Sequence, residues 1–228
     1  MTTISTTTDP SFFDIGVVIY DKKGQMYRDY NSNLEDVYDK TVKKVEISKS
    51  VYKKKFNVYY VSAGDQKNYI FDMKFGEPVH KLTFRSRSLK EIKSLPKGLM
   101  SVWFQGLKKG YKLNLKTVPK TIVSIFYRWA DYTLGDDLRS LKNLKVLGVP
   151  DNMVFSVPKL PKGIEYVDFS GCQIGLFDEN GLDNFKLSSY PNLKYINFSK
   201  NYIKKIPEEW KKAKKDKKLT IIYDKQYK

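Results

Sequence analysis

His80 is the only histidine and Cys172 the only cysteine in this chain of 228 residues. Nucleophilic catalysis of the Ser-His or Cys-His kind would therefore have to be built on His80, for which the sequence offers no assigned partner. Cysteine and histidine do not recur at zinc-ligand spacing, and no calcium loop is present. Asp136-Asp137, and Asp14 with Asp21, are acidic pairs in turn-forming stretches with no further carboxylates converging on them. Gly106 to Gly110 lacks the glycine pattern that cradles a phosphate. The residues point to a non-enzymatic protein with no catalytic group, no metal and no cofactor.

Charge is the stronger chemical signal. The chain carries 42 Lys and Arg against 25 Asp and Glu, a net charge of +17. Lys108, Lys109, Lys112 and Lys116 fall in one stretch, Lys53 to Lys55 form a short run, and Lys211, Lys212, Lys214, Lys215, Lys217 and Lys218 crowd the C-terminal region. Such clusters neutralise phosphates and make binding depend on salt, so a polyanion, nucleic acid included, is one expected partner. The bland alternative is a solvated face that keeps the protein in solution.

One cysteine allows no internal disulfide, no apolar run is long enough to cross a bilayer, and Met1 to Ser11 is a polar, Thr-rich start. The expectation is a soluble cytoplasmic protein without membrane insertion. Lysine far exceeds arginine, and Tyr and Asn are common, a composition that hints at an AT-rich genome such as that of a phage or large virus. In that case the location would be the host cytoplasm or the virion.

The elements that must position any site follow from residues 193–207. Leu193, Ile196, Phe198, Ile203 and Ile206, with Asn201 between, keep neither a helical nor a strand period throughout. They describe one short strand and a return, whose apolar face needs stacked copies of itself to be buried. Those copies are present. Ile164, Val167, Phe169, Cys172, Ile174 and Phe177 have the same offsets, as do Leu144, Leu147, Val149, Asn152, Val154 and Val157. Upstream, Ile122, Ile125, Tyr127, Ala130 and Tyr132 fit, then Leu99, Val102, Phe104 and Leu107, then Val79, Leu82, Phe84, Leu89 and Ile92. Starts at 79, 99, 122, 144, 164 and 193 are spaced by 20, 23, 22, 20 and 29 residues. Leu95-Pro96-Lys97-Gly98, Val118-Pro119-Lys120-Thr121 and Leu160-Pro161-Lys162-Gly163 place one kind of turn before three of these starts.

This pattern resembles the leucine-rich repeat family, L-x-x-L-x-L-x-x-N/C-x-L. Leu193 to Ile203, Ile164 to Ile174 and Leu144 to Val154 match it, whereas Arg87, Leu107 and Ala130 depart from it at the Asn position. The resemblance implies an α/β fold: a leucine-rich repeat solenoid over 76–207, with a curved parallel β-sheet and an irregular convex side. It also implies that the Asn or Cys side chain ties neighbouring turns together through backbone, which makes Cys172 a poor nucleophile.

Both ends of such an array need closing. Residues 1–10 read as a disordered lead-in, and 11–75 as either a β-rich N-terminal cap or a separate small domain. Phe12 to Tyr20 and Gln25 to Tyr30 are expected to form one hairpin, Val58 to Val61 and Tyr69 to Met73 another. Residues 208–228 read as a closing helix over Glu208 to Lys218 and a strand over Thr220 to Tyr223, with Trp210 packed on the last repeat.

In this register the residues between core positions face the concave side. Trp103 and Phe126 become neighbours on adjacent strands, flanked by Arg85 and Arg128, with Tyr166 and Tyr195 further along. Exposed aromatics beside arginines make a protein-binding patch, so a protein partner gripped through Arg85, Trp103, Phe126, Arg128, Tyr166 and Tyr195 is the leading expectation, for a viral chain a host-directed or virion-associated adaptor. Two alternatives stay open: a register slipped by one residue would turn Trp103 and Phe126 into the core, or the N-terminal segment would fold over them.

Overall fold

The computed structural model describes residues 3–7, 18–20, 43–45, 58–62, 69–71, 81–85, 89–107, 113–128, 135, 137–177, 182, 185–216 and 219–227. His80, Lys108, Lys109, Lys112, Ala130, Tyr132 and Asp136 lie outside them, as do the expected strand over Gln25 to Tyr30 and the acidic pair Asp14 and Asp21.

The chain builds a solenoid of parallel strands. The strands are β1 (Thr3–Thr7), β2 (Val18–Tyr20), β3 (Lys43–Val45), β4 (Val58–Ser62), β5 (Tyr69–Phe71), β6 (Lys81–Arg85), β7 (Leu89–Ile92), β8 (Ser101–Gln105), β9 (Ser124–Arg128), β10 (Val146–Gly148), β11 (Tyr166–Asp168), β12 (Tyr195–Asn197) and β13 (Thr220–Ile222). Nine of them form one sheet in the order β1-β4-β6-β8-β9-β10-β11-β12-β13. Every pairing in it is parallel except β1 with β4. Parallel neighbours require the chain to return after each strand, and here the return is short and little of it is helical. The described α-helix is α1 (Glu208–Lys215), and 3₁₀ turns occupy Leu115–Thr117 and Leu187–Ser189.

Register places the core as the offsets require. Leu82, Val102, Ile125, Leu147, Val167, Ile196 and Ile221 align across the sheet and are buried. Two residues on, Phe84, Phe104 and Tyr127 stack in series, with ring centroids 5.3 and 4.5 Å apart. Phe169 stacks on Phe198 at 5.4 Å, and Trp210 of α1 closes that end against Phe198 and Phe185. The helix expected over 208–218 is therefore shorter, and Trp210 packs inward as its position predicts.

Polar side chains tie one turn to the next. Asn152 Nδ2 donates to the Tyr127 carbonyl, Cys172 Sγ to Val149 and Asn201 Nδ2 to Phe169, at 3.1, 3.2 and 2.8 Å. These carbonyls occupy equivalent places in three consecutive turns. The residue before each tie bends the chain in the left-handed region: Asp151, Gly171 and Lys200 have φ of 56, 65 and 55°.

A further turn follows that the offsets had not revealed. Ile221, Tyr223 and Gln226 repeat Ile196, Phe198 and Asn201 at a constant interval of 25 residues. Lys225 takes the left-handed bend at φ 56°. Gln226 Nε2 donates to the Phe198 carbonyl at 2.8 Å, and its Oε1 accepts from the Ile203 N–H at 3.0 Å. The longer amide reaches the same backbone groups that asparagine serves in the preceding turn, where Asn201 Oδ1 accepts from the Ile174 N–H.

Two expectations are corrected. Val58 to Val61 and Tyr69 to Met73 do not form a hairpin: β4 joins the main sheet beside β6, while β5 pairs in parallel with β7. The reason is register, since Tyr59 and Val61 align with Leu82 and Phe84 and so continue the solenoid pattern. β2 pairs with β3, antiparallel; the second strand of the expected N-terminal hairpin, Gln25 to Tyr30, lies outside the described residues. Finally, Phe177 is 80% exposed rather than core. At Gly175 φ is +84° and a Cβ would stand 2.7 Å from the Tyr202 carbonyl oxygen, so the chain bends sharply there. That bend throws Leu176 and Phe177 outward, and Phe185 fills the interior instead.

Candidate functional site

The face of the sheet opposite the core is the place where sequence reasoning put a binding patch. Its geometry is as expected but its accessibility is not. Trp103 pairs with Phe126 in register, and their rings lie 4.8 Å apart. Arg85 and Arg128 share one cross-strand row, separated by Gln105 of β8. Tyr166 and Tyr195 are directly opposite each other on β11 and β12. Yet Phe126, Tyr166 and Tyr195 are 8, 1 and 0% exposed. With Val146 they form a second apolar cluster, against which Trp103 and Ile222 pack half-buried. Phe126, Tyr166 and Tyr195 cannot be reached by a partner, so the expectation of an exposed aromatic grip is corrected at these three, and β10, β11 and β12 are buried on both faces. Trp103 is half-buried, and the side chains of Arg85 and Arg128 lie outside the described residues.

Small and polar residues complete that second layer. Ser124 donates its hydroxyl to Ser101 across β9 and β8 at 2.7 Å. Asp168 and Asn197, paired in register, each accept from the N–H and hydroxyl of the serine two residues on, Ser170 and Ser199. Gly148 lies opposite Phe126, and a Cβ there would overlap the aromatic ring. The glycine is required by that ring. Gly148→Ala is expected to cost about 1–3 kcal/mol through overpacking, measured by denaturant unfolding; relief is expected when Phe126→Leu is added.

The accessible chemistry sits at the edge of the sheet where the strands begin. A β-turn precedes each of five consecutive strands, closed by the N–H of Leu99, Ile122, Leu144, Ile164 and Leu193 on the carbonyl three residues back. The second residue of these turns is Lys97, Lys120, Lys142, Lys162 and then Pro191. Each stands four residues before the first residue of its strand, and those first residues are paired in register. The four lysines therefore form a column with one cation per strand, a spacing of ~4.8 Å. All four are exposed, and none has a carboxylate partner among the described residues.

Two rungs hold the column. Thr121 Oγ1 donates to the Lys97 carbonyl, and Asn143 Nδ2 to the Lys120 carbonyl, both at 2.8 Å. Glu165, the acidic group beside the column, is bridged by Lys145 at 3.2 Å and Lys194 at 2.5 Å, which leaves a net positive charge there. Sequence reasoning singled out three of these four turns for their prolines. The signal for the column was the lysine that follows each proline, and Leu141-Lys142-Asn143, which repeats the turn without one.

The lysines expected to contact a polyanion are placed differently. Lys116 is exposed on the 3₁₀ turn after Asn114, whose side chain accepts from its N–H at 3.0 Å. On α1, Lys211 is paired with Glu208 and Lys214 lies 4.5 Å over the Tyr223 ring; these two are exposed, as are Lys212 and Lys215. The contact with Glu208 also raises the pKa of Lys211. Asp137 is engaged by Arg139, whose hydrogen bonds lower its carboxyl pKa to about 2. No group of three or more metal-ligating side chains occurs among the described residues, and no helix there is long and apolar enough to cross a membrane. No protein-family model and no curated protein matches this sequence.

Proposed function

We propose that this chain is a non-enzymatic recognition scaffold of the leucine-rich repeat type that binds a polyanion along its turn edge. The family reading is supported by the Asn152, Cys172 and Asn201 ties, which do what the repeat pattern implies for those positions. The observation that carries the functional reading is the column of Lys97, Lys120, Lys142 and Lys162: exposed, unpaired and held at fixed spacing, on a chain of net charge +17. Aligned cations of this kind release counterions when phosphates replace them. The full-length chain is expected to bind immobilised inorganic polyphosphate at ~50 mM salt and to lose most of that binding by ~200 mM. The quadruple Lys→Gln variant of the column should bind far less at every salt concentration; retention equal to wild type would reject the site.

A second reading, a protein partner, rests on a separate observation. Leu176 and Phe177 are 39 and 80% exposed, and the Phe177 ring lies 5.1 Å from that of Phe155. A partner inserting an apolar side chain beside this pair would use an edge of the solenoid and leave the buried aromatic layer intact. F177S would abolish such a complex while leaving polyphosphate retention unchanged.

A further inference from the structure

We propose that the Lys97–Lys120–Lys142–Lys162 column is a track for the phosphodiester backbone of a single-stranded nucleic acid, DNA or RNA. The inference rests on the polyanion reading and adds the shape of the ligand. Four cations on successive strands of one sheet lie along a line of about 14 Å, three strand spacings of ~4.8 Å. A duplex lying on that line would present only about four base pairs, and over ~14 Å of a ~34 Å helical turn each backbone rotates away through roughly 150°. About two phosphates of a duplex would stay within reach. A single strand has no such rotation and can bring one phosphate to each ammonium.

The column ends for a structural reason: the next turn carries Pro191 at the lysine position. Lys145 extends the positive surface sideways, since its Nζ would lie 3.5 Å from a Cβ added at Gly163, the residue after Lys162. Readout by base is not provided for. The residues after each lysine are Gly98, Thr121, Asn143 and Gly163, with no aromatic platform among them, and Thr121 and Asn143 are committed to turn carbonyls. Binding along the track is accordingly indifferent to sequence, with Lys ammonium on phosphate as its recognition chemistry.

The test is fluorescence anisotropy of the full-length chain with labelled oligo(dT), oligo(U) and a DNA duplex of equal length, across a salt series. The expected slope of log affinity against log salt is about −2.8 for the single strands, from four phosphates, and about −1.8 for the duplex, from two. Each Lys→Gln change in the column should reduce the single-strand slope by about 0.7. An equal-charge control in which the exposed Lys90, Lys159, Lys186 and Lys205 become Gln should leave the slope as in wild type. A preference for oligo(U) over oligo(dT), or the reverse, names the nucleic acid and supports the track in either case. Duplex binding as tight as single-strand binding, or a control that weakens binding as much as the column variant, overturns the inference. Polyphosphate binding without binding to either oligonucleotide also overturns it while leaving the polyanion reading in place; loss of all three sinks both.

Discussion

Replacing Asn201 with alanine is expected to lower the free energy of unfolding by about 3 kcal/mol, enough to change the folded-to-unfolded ratio by more than a hundredfold. Asn201 is fully buried. Its Nδ2 donates to Phe169 of the preceding turn and to Phe198 and Ser199 of its own, and its Oδ1 accepts from the Ile174 N–H. Truncation leaves at least the Phe169 carbonyl and the Ile174 N–H without partners in a dry interior, each costing on the order of 1–3 kcal/mol. Asn201→Cys should recover part of the loss, because Cys172 already donates from this position to the carbonyl of Val149 but offers no comparable acceptor. Asn201→Asp should do no better than alanine: its carboxylate keeps the acceptor yet sets negative charge against the Phe169 oxygen. Equilibrium urea unfolding of the three variants checks the order. A loss under ~1 kcal/mol for alanine would show that the stacking of turns does not depend on these bonds.

The same position shows how much of the fold could be read from the sequence. Asn152, Cys172 and Asn201 set the register because a small hydrogen-bonding residue, placed at one fixed offset after a short apolar strand, can be buried only where neighbouring backbone satisfies it. The turn ending at Gln226 escaped because glutamine does the work of asparagine there and the apolar frame is reduced to Ile221 and Tyr223. Phe177 was misplaced because periodicity carries no information about the bend at Gly175. The candidate site was legible only in part. Alternation assigned the two faces of each strand correctly, but it cannot say whether the second face meets water. The sign was nevertheless present: Val146-Leu147-Gly148-Val149, Tyr166-Val167-Asp168-Phe169 and Tyr195-Ile196-Asn197-Phe198 place large apolar residues on both parities, the mark of a parallel strand buried on both sides. Such runs favour packing over recognition, and they leave the turns that precede the strands as the accessible surface.

A second large effect is expected at Tyr166, where two substitutions act with opposite sign. Tyr166→Ala should destabilise the chain by about 3–5 kcal/mol, as removal of a buried aromatic does, because its ring is sealed into the layer with Val146, Phe126 and Tyr195. Tyr166→Phe should instead be neutral or stabilising, by up to about 2 kcal/mol, since the hydroxyl is buried and makes no hydrogen bond. Alkaline titration separates the hydroxyl from the ring. Burial, and secondarily the negative charge of Glu165, pushes the Tyr166 phenol well above its ordinary pKa of 10.0. A folded-state pKa above the unfolded value contributes stability that is complete below the unfolded pKa and is lost as pH rises through the folded one. Wild-type stability should therefore fall from about pH 10 upward, and Tyr166→Phe should flatten that fall without changing how stability depends on pH in the neutral range. If Tyr166→Ala left stability intact while abolishing capture of a protein partner, the residue would belong to an open recognition surface. A folding defect with the polyphosphate affinity of the remaining folded fraction unchanged is the outcome the burial requires, because the lysine column lies in the turns that precede the strands rather than in the buried layer.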